Sequence, residues 1–217
     1  MKPRVIIHNA VSLDGKVTGF EVDLARYYAL VPTWKEDATL CGSGTILAAP
    51  EGSVREKDED VPDRRSDPKD KRPLLVVADS RGRVRCWNML LNAGFWRDGI
   101  ALCSRQTPER HREYLKKRGV GCIVTGDKRV NLVRALEILR SRHRIRSIRV
   151  DSGGTLNAAL LGAGLVDELS LLVHPALAGT SARPLVAGAK SLKGSFRLFH
   201  NERLPGGLVW LRYEVAR

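Results

Sequence analysis

Short apolar runs, each closed by a polar turn and then giving way to helix-period sequence, recur along this chain of 217 residues. The runs are Arg4–Ala10, Ala38–Cys41, Pro73–Ala78, Gly99–Ser104, Gly121–Thr125 and Arg146–Val150. Helical patterns cover Asp23–Lys35, Pro108–Arg118, Leu132–Arg142 and Thr155–Ala163, while Trp87–Trp96 is ambiguous. In the first of these, Leu24, Tyr27, Tyr28 and Val31 share one face. Strands that alternate with helices imply crossover connections and hence a parallel or mixed sheet. After Glu168–Val173 the pattern changes. Phe196, Leu198 and His200 alternate with polar residues, Pro205-Gly206-Gly207 follows, and Val209, Leu211, Tyr213 and Val215 alternate again. That tail predicts an antiparallel β-hairpin. The expected fold is α/β: a mixed, mostly parallel sheet flanked by helices, with a C-terminal antiparallel hairpin. No internal repeat or linker divides the chain, so one domain over 1–217 is expected.

Composition narrows the functional classes. With 43% hydrophobic residues, the chain has enough apolar material for a substantial core. It has no run of apolar residues long enough to span a bilayer. The apolar stretch near Met1 is too short for a signal peptide and runs directly into strand-like sequence, so a cytoplasmic location without membrane association is expected. Cys41, Cys86, Cys103 and Cys122 form neither a Cys-x-x-Cys motif nor a Cys/His set with zinc spacing. They read as structural thiols, and no metal site is expected. The net charge of +13 is scattered over helix faces and loops without interleaved aromatics. A nucleic-acid platform is therefore not expected, whereas phosphorylated small molecules would be attracted. The stretch 51–72 differs, with eight acidic and seven basic residues and few large apolar ones. It reads as a flexible charged loop, so the basic excess belongs to the rest of the chain.

In an open α/β sheet, ligands sit beyond the carboxyl ends of the strands. Polar turns close several strands here: Asn9–Gly15, Gly42–Thr45, Asp79–Gly82, Ser104–Thr107, Thr125–Asp127 and Asp151–Thr155. The run Ile148–Val150 leads into Gly153-Gly154 and a helix. This pattern fits either an anion cradle at a helix N-terminus or an ordinary tight βα turn. Gly42-Ser43-Gly44-Thr45 starts like a dinucleotide fingerprint but lacks its third glycine and its acidic partner. A P-loop, a Gly-x-Ser-x-Gly elbow and a deaminase zinc motif are all absent.

Four segments, in order, resemble the reductase family of riboflavin biosynthesis, which is related to dihydrofolate reductase. Ser12-Leu13-Asp14-Gly15-Lys16 is similar to its Ser-Leu-Asp-Gly-Lys/Arg signature, within Asn9–Lys16. Gly42–Leu47 is similar to its Gly-Ser-x-Thr turn, and Val77–Arg83 to its Val-x-Asp-Ser segment. Asp151–Glu168 is similar to its Glu-Gly-Gly-Gly-Thr-Leu-Asn loop and the Gly-Leu-Val-Asp-Glu segment that follows. The resemblance implies a dihydrofolate reductase-like fold, NADPH as cofactor, a phosphorylated small-molecule substrate and a homodimer to which the terminal hairpin could contribute. It implies reduction of the ribosylamino side chain of 2,5-diamino-6-ribosylamino-4(3H)-pyrimidinone 5′-phosphate to ribitylamino. A pterin or another heterocycle is the alternative substrate, and a basic nucleic-acid-binding protein the alternative class.

Carried over by position, cofactor contacts fall on Ala10, Gly42, Gly44, Thr45, Ser80, Arg81, Gly126, Gly153, Gly154, Thr155 and Leu156. Ser104-Arg105 resembles a pair that holds the cofactor's 2′-phosphate; Arg105 also reads as a plain surface arginine. Substrate contacts fall on Asn9, Ser12, Asp14 and Asp151, with Asp14 and Asp151 as the candidate catalytic residues. Asp14 also reads as a simple turn stabiliser. Three departures stand out. Asp151 replaces a Glu, Ser152 replaces a Gly, and Ala48-Ala49-Pro50 replaces Asp-Asp-Pro.

Overall fold

The computed structural model describes residues 1–49, 56, 69–188, 192 and 194–216. Most of the charged stretch 51–72 lies outside the described residues. Nine strands and six α-helices are present among those described, and the strands are mostly parallel with an antiparallel C-terminal part. The chain divides into two compact units, residues 1–3 with 37–146 and residues 4–36 with 147–217.

The first unit alternates strictly. It contains β2 (Ala38–Gly42), α2 (Ser43–Ala48), β3 (Leu74–Ala78), α3 (Trp87–Asn92), β4 (Asp98–Cys103), α4 (Glu109–Lys117), β5 (Gly121–Val124) and α5 (Leu132–Arg142). Its strands pair in parallel in the order β5-β4-β3-β2. Parallel strands covered on both faces read as continuous apolar runs, and Leu74–Val77 of β3 is buried throughout. The ambiguous segment becomes α3, whose Trp87 is fully buried beside Leu75, Val77, Tyr114 and Leu115. On β4, a side chain at Gly99 would collide with the Trp87 ring, so the glycine makes room for the indole. Helix α5 starts where the Asn131 side chain accepts the Arg134 N–H at 3.0 Å, and buries Ala135, Leu136 and Leu139 at helical spacing.

The second unit contains β1 (Arg4–Ser12), α1 (Leu24–Leu30), β6 (Ser147–Val150), α6 (Gly154–Gly162), β7 (Glu168–His174), β8 (Ser195–Leu204) and β9 (Leu208–Ala216). Its strand order is β6-β1-β7-β9-β8; β6, β1 and β7 are parallel, whereas β9 and β8 are antiparallel. The expected hairpin forms, and Gly206 and Gly207 supply the positive φ angles of its turn, 81° and 76°.

The first helix departs from expectation. Instead of a helix over Asp23–Lys35, α1 ends at Leu30 and a 3₁₀ turn covers Val31–Thr33. Pro32 has no N–H to continue the ladder. On so short a helix, Tyr27 is buried, but Leu24 and Tyr28 are more than half exposed.

Glu56 ties α3 to the C-terminal end of α4 in the first unit. Its carboxylate receives Arg118 Nε at 2.9 Å, Tyr114 Oη at 3.0 Å and the Met89 N–H at 3.1 Å. The guanidinium of Arg118 stacks on the Tyr114 ring and is buried. Removal of one partner of a buried pair takes away much of what offsets the other's desolvation. Glu56→Ala is therefore expected to lower unfolding free energy by on the order of 3 kcal/mol in urea titrations. A loss below about 1 kcal/mol would show this contact to be marginal.

Candidate active site

In the first unit, four strand ends carry linked turns. Asp79 closes β3, and its carboxylate accepts the N–H groups of Arg83 and Val84 at 2.7 and 2.8 Å. The Ser80 carbonyl receives Ser104 Oγ and Thr107 Oγ1, while its hydroxyl oxygen accepts the Val130 N–H at 3.0 Å. Arg105 N–H donates to the Gly126 carbonyl, and the Arg105 guanidinium pairs with Asp127 at 2.8 Å. Arg83 reaches Ser43 Oγ at 3.2 Å. The turns after β2, β3, β4 and β5 are thus tied together, and around them Arg81, Arg83, Arg105, Lys128 and Arg129 are exposed. A dianionic phosphate suits such a cluster of exposed cations.

The candidate residues in this unit divide by accessibility. Ser104 is fully buried and serves the turn, so the outward contact of the Ser104-Arg105 pair falls to Arg105, which is 78% exposed. Gly42 precedes α2, Gly44 is exposed with open space where a Cβ would stand, and Thr45 is half-buried. A side chain at Gly126 would strike the carbonyl of Arg129. That glycine therefore answers to its own turn.

In the second unit, β1 and β6 run side by side and their ends carry the remaining candidates. Asn9 is buried, donates to the Ser152 carbonyl at 2.9 Å and accepts from the Asn157 side chain at 2.9 Å. The Asn157 amide also reaches the Leu185 carbonyl at 3.0 Å. Gly154 lies under the same segment, where a Cβ would collide with the carbonyl of Pro184 and crowd the N–H of Ala187. The close approach that requires glycine is made by this chain's own backbone. Gly153 precedes α6 without a side-chain cap, Thr155 is exposed, Leu156 is buried, and Ala10 of β1 is half-buried.

The two candidate aspartates differ sharply. Asp14 is occupied by its own loop. One oxygen accepts Ser12 Oγ at 2.6 Å and the Ala178 N–H at 3.0 Å, and the other accepts the Gly179 N–H at 2.9 Å. These bonds, led by the Ala178 N–H, hold its pKa down to about 2. Such a group suits turn stabilisation better than proton donation near neutrality. Asp151, by contrast, is 28% exposed at its side chain and lies just past β6.

Three residues at Asp151 escaped the sequence reading. Arg149, two positions earlier on the same face of β6, donates to Asp151 at 2.9 Å and to Glu36 at 2.8 Å, with its side chain only 6% exposed. Burial alone would lower the pKa of Arg149, but the neighbouring Asp151, Tyr27 and Glu36 drive it up. Tyr27 Oη donates to the His8 carbonyl at 2.9 Å and lies beside the Asp151 carboxylate; burial first, then that charge, raise its pKa. The period-2 spacing of Arg149 and Asp151 was a signal available in the sequence. The network continues across β1, β7 and β9. Trp210 Nε1 donates to Ser170 Oγ at 2.8 Å, and the same oxygen lies 3.0 Å from His8 Nδ1. The other ring nitrogen of His8, Nε2, faces the Tyr27 carbonyl at 3.4 Å.

Comparison with known proteins fits this arrangement. The model of the RibD C-terminal domain matches residues 3–210. The chain belongs to that family. It is 32% identical to the 2,5-diamino-6-ribosylamino-4(3H)-pyrimidinone 5′-phosphate reductase of Archaeoglobus fulgidus, over 96% of this chain and 97% of the relative. It is 34% identical to the protein of the same name from Methanothermobacter thermautotrophicus, over 87% and 85%. In fold it is similar to a pyrimidine reductase-like protein from Corynebacterium diphtheriae, with a TM-score of 0.73, 20% identity, and coverage of 99% of this chain and 92% of that one. Membership in this reductase family implies a nicotinamide cofactor. No helix among the described residues is long and apolar enough to cross a membrane.

Burial, then the charge of Arg149, lowers the pKa of His8 from 6.5 to about 3. The unfolded chain takes up this proton near pH 6.5, whereas the folded protein resists it until about 3. Stability should therefore fall as the pH drops from 6.5 toward 3. His8→Gln, which cannot titrate, is expected to lose less stability than wild type between pH 7 and pH 4 in urea titrations. Identical losses would show that His8 is not the responsible group.

Proposed function

We propose that this chain is an NADPH-dependent reductase of the riboflavin-biosynthesis type, one reductase domain over 1–217. Its substrate is 2,5-diamino-6-ribosylamino-4(3H)-pyrimidinone 5′-phosphate, whose ribosylamino side chain is reduced to ribitylamino. The observation that carries this reading is the similarity, over nearly the full length of both chains, to relatives that bear this activity in their names. When bound, the dihydronicotinamide would supply the reducing equivalents to C1′ of the opened sugar. The chain's own residues bind and orient. Arg81 and Arg105 are suited to hold the 2′-phosphate, with Ser80 and Thr45 of the same unit as further contacts. Asp151 offers a carboxylate to N–H or O–H groups of the substrate, and Asn9 and Ser12 stiffen the strand end beside it. The reading includes a cytoplasmic homodimer. The edge strand β8 supports that part, because Phe196, Leu198 and Phe199 are each more than two-fifths exposed on it.

The cofactor assignment has a direct test. By calorimetry, NADPH is expected to bind at least about tenfold more tightly than NADH, since each charge-assisted phosphate contact contributes roughly 1.5–3 kcal/mol. Arg105→Ala and Arg81→Ala should weaken NADPH and leave NADH unchanged. Equal affinities in wild type would remove the 2′-phosphate site, and absence of binding by either nucleotide would sink the reading.

A further inference from the structure

The carboxylate of Asp151 does not stand alone at the end of β6. Behind it lies a guanidinium that the fold has taken almost entirely out of water. Arg149 is 5% exposed as a residue, and two carboxylates divide its fork, with Nε on Glu36 and Nη1 on Asp151. Glu36 is itself buried, with a side chain 5% exposed, whereas Asp151 is 28% exposed. One end of the ion chain is thus closed and the other open. Tyr27 packs against the open end, and its hydroxyl is fixed by the His8 carbonyl at 2.9 Å. Desolvation of three charged groups is expensive, and a pair of apolar side chains would fill the same volume at less cost. A planar, forked cation between two carboxylates does one thing that apolar packing cannot. It sets the direction of the other carboxylate oxygen.

We propose that Arg149 is a positioning residue for the reaction: anchored from behind by Glu36, it holds the Asp151 carboxylate in one orientation toward the substrate. The inference rests on the reading of the chain as a pyrimidinone phosphate reductase with Asp151 at the substrate. It assigns to Arg149 and Glu36 no contact with substrate. Their effect passes through Asp151. A side chain free to rotate spends only part of its time in the productive geometry, and small misplacements of a catalytic group lower turnover steeply.

The test is a set of variants assayed with the pyrimidinone phosphate and NADPH. The double variant Arg149→Met with Glu36→Gln removes the cation and the more deeply buried anion together, so of the three charges only Asp151, 28% exposed at its side chain, remains. Its kcat is expected to fall by about tenfold or more, in the range of a displaced catalytic group. Calorimetric NADPH affinity should stay at the wild-type value. Addition of Asp151→Asn to this background should lower kcat by less than about threefold further, because the two changes disable one device. Arg149→Lys keeps the charge without the fork and should fall between wild type and the double variant. Wild-type kcat and substrate KM in a folded double variant would overturn the proposal. So would full additivity with Asp151→Asn, which would separate Arg149 from that carboxylate. If the double variant does not fold, Arg149→Lys decides alone, and an unchanged kcat overturns the proposal. Failure of wild type to turn over the pyrimidinone phosphate would be a different result. It would reject the functional reading itself, and the inference with it.

Discussion

A guanidinium buried on a β-strand must be met by anions, and Arg149 is met by two, Glu36 and Asp151. This demand shapes much of the second unit. Glu36 is brought in by the segment that carries α1 and its 3₁₀ turn, so the ion pair helps seat that segment on β6. Tyr27 and Trp34 of the same segment pack on Ile6, Leu172 and Trp210. Their polar atoms are satisfied below, Tyr27 Oη by the His8 carbonyl and Trp34 Nε1 by Glu168 at 2.9 Å. Glu168 in turn receives Arg4 and Arg212 at 2.6 and 2.7 Å. The face of this sheet is a polar layer in which each group named here has a partner. Such layers tolerate little change, because a half-satisfied one is costly.

The two aspartates show how position divides roles between like groups. Asp14 spends its oxygens on a hydroxyl and two backbone N–H groups and closes the loop that carries it. Asp151 has one oxygen on Arg149 and remains partly open. The glycines divide in the same way. Gly154 and Gly126 are demanded by neighbouring backbone, whereas Gly44 borders open space. A glycine-rich motif at a strand end is therefore part scaffold and part site, and the geometry separates the two.

The alternation of apolar runs and helical segments made the sheet and its mostly parallel character legible, because buried parallel strands are apolar throughout and their boundaries fall at glycine and aspartate turns. The terminal hairpin was legible from Pro205-Gly206-Gly207 between two alternating runs. The length of α1 was not, since the pattern of Leu24, Tyr27, Tyr28 and Val31 continues through Pro32 while the backbone cannot. Arg149 was hidden inside a run that reads as a buried strand, and only its spacing to Asp151 hinted at a shared face. Its partner Glu36 lies over a hundred residues away, and no local pattern connects them. Glu56 was equally invisible, one acid among eight in a charged stretch, because composition does not show which acid meets a buried arginine.

On the proposed function, this chain delivers reducing equivalents from a reduced nicotinamide to the sugar carbon of the pyrimidinone phosphate. Transfer of label tests it most directly. With NADPH deuterated at C4 of the dihydronicotinamide, one face at a time, the product is analysed by mass spectrometry and proton NMR. The expected product is a ribitylamino compound that carries one deuterium at C1′ from one of the two labelled cofactors. Ribitylamino product formed without deuterium from either one, or deuterium found in the pyrimidine ring, would contradict it.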